Sequence, residues 1–248
     1  MLARLPGLLL LAGLVAIAAS LWMRHTLPEP HHTLPALQAE PLQVAATQPP
    51  FLVSAGGVSY TVRPLYRYAI QGLVVSRHDT GVWWDLLHRK DWNDHLNVVD
   101  LCLIWGANLR NDAYRAIRFW NEVFTCNAGT DSAQTWARFD ENALSNNHLL
   151  ASDPQLVRLL RRVRPGDQVS IRGYLAEYAH DHGRPFRRGT STVRTDRGNG
   201  ACETIWVTEA TMLREANRGW RTLLPGGVGL IVLSVLLWWF LPMSRSDA

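Results

Sequence analysis

Charge is scarce in this sequence. Charged residues make up 19% of its 248 positions, against roughly a quarter in an average soluble domain. The shortage is local, because residues 5–23 and residues 222–244 carry no charge at all. Cysteine is scarce too, with three residues and no Cys-x-x-Cys pair, so a zinc ribbon or dithiol redox motif has no support. There is no internal repeat and no recognised catalytic motif. The two uncharged runs exclude a simple soluble enzyme, and their number excludes a multi-span transporter.

Each run is long enough to span, since a bilayer core takes about 20 apolar residues in a helix. Arg4 precedes the first, and Ala16-Ile17-Ala18 offers the small-residue pattern that a signal peptidase cuts. The apolar stretch continues past that point, however, and Trp22 with Arg24 favours a retained anchor. Trp220 and the Trp238-Trp239 pair bracket the second run at both interfaces. Arg214, Arg218 and Arg221 before it would keep the intervening domain in the cytoplasm. The charged N-terminus argues the other way, because a long domain can be translocated regardless of charge. The expectation is a bacterial inner-membrane protein with both termini inside and the central domain in the periplasm.

Residues 24–50 hold Pro28, Pro30, Pro35, Pro41, Pro49 and Pro50. Proline at that density predicts an extended linker. His25, His31 and His32 in it read as incidental. His88, Asp91 and His95 could share a helical face, but their spacing matches no metal motif, so no metal site and no cofactor is expected.

Residues 51–215 read as one domain. Residues 58–62, 68–76, 101–105, 117–126, 169–178 and 204–208 are rich in β-branched and aromatic side chains or alternate apolar with polar, as strands do. Residues 117–126 are expected to pair back on 101–105. Asp153 and Pro154 open a helix with the stripe Leu156, Leu159, Leu160 and Val163, and Pro165-Gly166-Asp167 ends it. A second helix is predicted over 83–90. A helix before a Gly-Asp-initiated fourth strand predicts a mainly β (α+β) fold, an OB-like small barrel between two terminal transmembrane helices.

The segment LSNNHLL (144–150), the segment RGTSTVR (188–194) and the segment GNGACE (198–203) resemble a family of uncharacterised bacterial membrane-anchored proteins. The resemblance covers most of the central domain. It implies an envelope setting, and no activity or catalytic residue comes with it.

Four groups of residues are candidates for function. Cys102 and Cys126, set opposite by the expected hairpin, either bridge in an oxidising compartment or stay buried thiols. A nucleophilic Cys202 would need a base, and His148 is the partner on offer. The tryptophans of the domain read as core or membrane contact. The arginines at 158, 161, 162, 164, 184, 187, 188, 194 and 197 form a basic patch, yet residues 24–224 sum to only +3, which makes nucleic acid an unlikely partner. Membrane lipids and a protein partner are the expected ones.

The last group is Asn146, Asn147 and His148 with the loop carrying Arg188, Thr190, Ser191, Arg194 and Asp196. Such a loop could cradle an anion between arginines and backbone donors. It could equally be self-satisfied, with Asn146 and Asn147 as turn residues and His148 buried. Two functions follow. One is a non-enzymatic envelope module for protein interaction or assembly. The other is a membrane-tethered hydrolase using His148, Asp196 and Ser191 or Cys202, which requires those groups to converge in one pocket.

Overall fold

The structure, a computed structural model, describes residues 4–81, 91–123, 125–196 and 201–240. The chain falls into two units, one of residues 1–26 with 217–248 and the other of residues 27–216. The helix predicted over 83–90 lies outside the described residues.

The first unit holds α1 (Leu5–Met23) and a C-terminal helix, Arg218–Phe240, both long and apolar enough to cross a membrane. They pack through small residues. Pro6, Gly13 and Ser20 on one and Gly227 and Ser234 on the other recur every seven residues and are buried. A Cβ on Gly13 would stand 2.8 Å from the Gly227 carbonyl oxygen, and one on Gly227 2.7 Å from that of Gly13. Ser234 Oγ donates to the Pro6 carbonyl at 2.7 Å, so the helices run antiparallel at backbone contact through small residues. Side chains elsewhere on both point outward, Leu8 and Trp239 among them.

The second unit is mostly β sheet with a few helices. Its strands are β1 (Leu42–Ala45), β2 (Phe51–Ala55), β3 (Val58–His78), β4 (Asn97–Ile104), β5 (Arg118–Asn121), β6 (Cys126–Gly129), β7 (Leu144–Leu150), β8 (Gln168–His180), β9 (Phe186–Arg188) and β10 (Glu203–Arg214). A one-turn helix, α2 (Ala133–Trp136), follows β6, and α3 (Pro154–Arg162) joins β7 to β8. The terminal helix Arg218–Phe240 is therefore α4. The main sheet runs β1-β3-β4-β7-β10-β8-β9, with β2 on β3 and a further pairing of β3 with β8. β7 and β10 are parallel; the other pairs are antiparallel.

The two strands expected at 58–62 and 68–76 are one. Pro64, which cannot donate to a ladder, sits at a bulge in the β3–β8 pairing, where no such bond is needed. Gly173 on β8 is required by close approach, since a Cβ there would lie 1.9 Å from the Trp206 carbonyl oxygen. Helix α3 starts as predicted: the Asp153 carboxylate accepts from the Gln155 and Leu156 amides at 2.6 and 3.3 Å. Leu160 and Val163 bury against Leu101, Ile171 and Ile205.

Three further expectations change. Residues 117–126 do not pair with 101–105. They turn back on themselves as β5 and β6, closed by the Glu122 amide donating to the Thr125 carbonyl at 2.9 Å. Strand β4 is flanked instead by β3 and β7.

Residues 144–150 are a strand, so Asn146 and Asn147 are not turn residues. Both are buried between β4 and β10, where ladder bonds satisfy the backbone and the amide side chains find internal partners.

The proline-rich segment is not a free extended linker. Leu37 is fully buried with Leu73, Ile104 and Tyr114, and Leu27 and Leu34 pack on them. Gln168 holds the segment as a fork, accepting from the Leu34 amide at 2.7 Å and donating to the His32 carbonyl at 2.8 Å. The Tyr114 hydroxyl donates to the Pro28 carbonyl at 2.5 Å. Prolines keep a long α-helix from forming here, but they do not stop leucines between them from burying.

Candidate functional site

Strands β4, β7 and β10 lie side by side, and their register brings Asp100, His148 and Thr204 into one row. Because side chains alternate between faces, the next residues on that face are Cys102, Asn146 and Cys202. His148 Nδ1 meets Asp100 Oδ1 at 2.7 Å, both side chains being buried. Burial disfavours the imidazolium, yet the adjoining carboxylate outweighs it and the pKa of His148 rises to about 9. Burial likewise works to raise the Asp100 carboxyl, and His148 with the Asn97 amide holds it below the usual carboxylate range. Cys202 hydrogen-bonds the same imidazole, and Asn146 Nδ2 donates to Cys202 Sγ at 3.5 Å.

The network continues away from His148. Asn97 Nδ2 donates to Asp100 Oδ1 at 2.9 Å, and the Asn97 amide donates to Asp94 Oδ1 at 3.2 Å. Tyr178 donates its hydroxyl to Asp94 Oδ2 at 2.6 Å. Arg188 lies against these groups. Burial opposes its charge, but Tyr178, Asp100 and Asp94 more than compensate and hold the guanidinium protonated. Arg188 is therefore placed among internal carboxylates.

The loop before β10 is tied mainly to itself. Ser191 Oγ donates to Asp196 Oδ2 at 2.6 Å, and the Ser191 amide donates to the Cys202 carbonyl at 2.9 Å. Thr190 Oγ1 accepts from the Thr204 amide at 2.9 Å, and Thr204 Oγ1 donates to the Gly189 carbonyl at 2.8 Å. Arg194 pairs with Glu203, donates to the Tyr68 hydroxyl at 2.9 Å and lies 4.8 Å over the Trp105 ring. Burial pushes the Glu203 carboxyl up to about 7, against the pull of Arg194. Trp105 Nε1 in turn donates to Glu40 Oε2 at 2.9 Å. Gly198 and Gly200 lie outside the described residues, as do Arg197 and His88.

The candidates thus form two neighbouring groups, His148 with Cys202 and Arg188, and Ser191 with Asp196, Thr190 and Arg194. The strand partner of Asn147 is Glu203, and the Asn147 side chain bonds the Leu101 carbonyl at 3.1 Å. Cys102 and Cys126 are joined as a disulfide with Cα atoms 5.7 Å apart, linking the main sheet to the β5–β6 pair. Two surface cavities, of about 590 and 510 Å³, open on the sheet. Arg63, Glu177, Tyr178, His180, Arg187 and Arg188 line the first. Leu42, Val44, Arg67, Tyr174 and Glu209 line the second. His148, Ser191, Asp196 and Cys202 line neither.

Sequence reasoning missed Asp100, Asp94, Asn97, Tyr178 and Glu203. An isolated Asp inside the apolar run NVVDLCLI was the available signal, because a carboxylate there must find a partner. No family model, no curated protein and no solved structure matches this chain.

Proposed function

We propose that the chain is a membrane-anchored, non-enzymatic envelope protein that presents an OB-like domain for protein interaction or assembly. The strand succession β3-β4-β7-β10-β8, the second pairing of β3 with β8, the parallel β7–β10 pair and α3 between β7 and β8 support the OB-like reading. The Cys102–Cys126 bridge supports an oxidising compartment, hence a periplasmic domain on a bacterial inner membrane. Nucleic acid has no part in the proposal.

The observation that carries the non-enzymatic reading is the placement of His148, Ser191 and Asp196. Their polar atoms engage one another, the backbone and internal charges, and none of the three lines either cavity. The test introduces a photoreactive side chain at Leu52, exposed on β2, or at Leu42, exposed on β1, in membranes. A discrete protein adduct is expected, lost in His148→Ala and Arg194→Ala only as far as their melting temperatures fall. No adduct from either position would overturn the reading.

One observation favours the second reading, a membrane-tethered hydrolase. Cys202, His148 and Asp100 form a thiol–imidazole–carboxylate chain, the order of nucleophile, base and orienting group. Cys202→Ala separates the two: a hydrolase loses function with its melting temperature kept, whereas an interaction module keeps both.

A further inference from the structure

The proline-rich segment becomes chemically interesting once it is anchored. Pro30–His32 is a single 3-10 turn, closed by the His32 amide donating to the Glu29 carbonyl at 2.9 Å and the Thr33 amide donating to that of Pro30 at 3.0 Å. The His32 carbonyl accepts from Gln168 at 2.8 Å and from Arg214 at 2.5 Å, so the turn is held by two strands of the domain. A free linker would give adjacent histidines no common direction. Here the imidazole centroids of His31 and His32 are 4.0 Å apart. One ligand atom each from Glu29, His31 and His32 lies within 4.8 Å of the others.

Two imidazoles and a carboxylate are a transition-metal donor set. Imidazole nitrogen suits zinc, copper or nickel and not magnesium or calcium. His2Glu with remaining positions open to water is a known arrangement for zinc. With Zn–N and Zn–O bonds of about 2.0–2.1 Å, two ligands at a tetrahedral angle stand about 3.3 Å apart. His31 Nδ1 and Glu29 Oε2 are 3.4 Å apart. Arg115 sits 3.5 Å from the other carboxylate oxygen, Oε1, and leaves Oε2 to face the imidazoles. All three side chains are exposed, so His32 is free to close the remaining distance by side-chain rotation.

We propose that Glu29, His31 and His32 bind one divalent transition-metal ion, with zinc as the matching ion. The site is open and exchangeable, and it lies apart from the His148 network, so it stands or falls independently of the function proposed above.

The test is calorimetric titration of zinc chloride into the full-length chain, stripped with chelator and held in detergent. One equivalent should bind, without competition from excess magnesium. Glu29→Gln, His31→Ala and His32→Ala should each weaken binding by roughly tenfold or more. His182→Ala, an exposed histidine elsewhere, should leave it unchanged. The three variants alter exposed side chains, and unchanged melting temperatures without zinc will show that they fold. Absence of saturable binding at one equivalent, or zinc retained undiminished by a His31→Ala/His32→Ala double variant, would overturn the proposal.

Discussion

His148 is the residue whose removal should cost most. It is buried against an equally buried carboxylate. His148→Ala leaves the buried Asp100 carboxylate without its imidazolium partner, a change worth about 3–5 kcal/mol for a buried pair. The same pair sets a pH dependence. A ring raised from 6.5 to about 9 holds its proton more tightly in the folded state. Its contribution is complete below pH 6.5 and disappears as the pH climbs to about 9. Glu203 acts in the same direction over a lower window: its carboxyl is raised from 4.5 to about 7, so the folded state favours the protonated form and stability falls across that interval. Melting temperature should therefore decline in two steps, from pH 4.5 to 7 and from 6.5 to 9. Glu203→Gln should erase the first and His148→Gln the second. A profile unchanged by His148→Gln would mean that the ring is neutral in the fold.

At the scale of elements, the segment before β2 decides what counts as the domain. A fragment of residues 51–215 lacks β1, Leu37 and the groups that bond Gln168 and Tyr114. A fragment of residues 27–216 keeps them. Scanning calorimetry should show cooperative unfolding for the longer fragment and a lower melting temperature or aggregation for the shorter. Leu37→Ala in the full chain should cost about 2–5 kcal/mol.

The sequence signals were uneven for physical reasons. Helix α3 was legible because capping and an apolar stripe are local. The strands beginning near 58, 168 and 203 were legible in kind because their side chains alternate. Segment 144–150 was not, because its asparagines are tolerated in a strand only by partners far away in the chain. Segment 27–40 was hidden for the opposite reason, since proline marks an irregular backbone and says nothing about whether the side chains between are buried. His148 and its loop were visible as a concentration of polar residues. Asp100, which gives His148 its charge, depends on strand register, and register is a tertiary property.

At the scale of the molecule, the seven-residue spacing of small residues joins α1 and α4. Gly13→Leu would drive a side chain into the Gly227 backbone. It should abolish cross-linking between cysteines placed at Pro6 and Ser234 while leaving the contacts inside the 27–216 unit intact. Cross-linking that persists would mean that the contact is not the one that holds the helices. Mass spectrometry of unreduced protein checks the proposed compartment: Cys102 and Cys126 should be linked in material taken from the envelope, and two free thiols there would place the domain in the cytoplasm.

The helix pair also acts where no contact is counted. Asn217 Nδ2 donates to the Thr26 carbonyl at 2.7 Å, so the two points at which the chain enters and leaves the 27–216 unit are tied together. When that unit unfolds, its chain remains a closed loop of about 190 residues as long as the helices stay associated. A cross-link closing a loop of that length removes chain entropy from the unfolded state equivalent to about 5 kcal/mol. A single proteolytic cut between residues 26 and 27 would thus weaken the domain without breaking one interaction inside it.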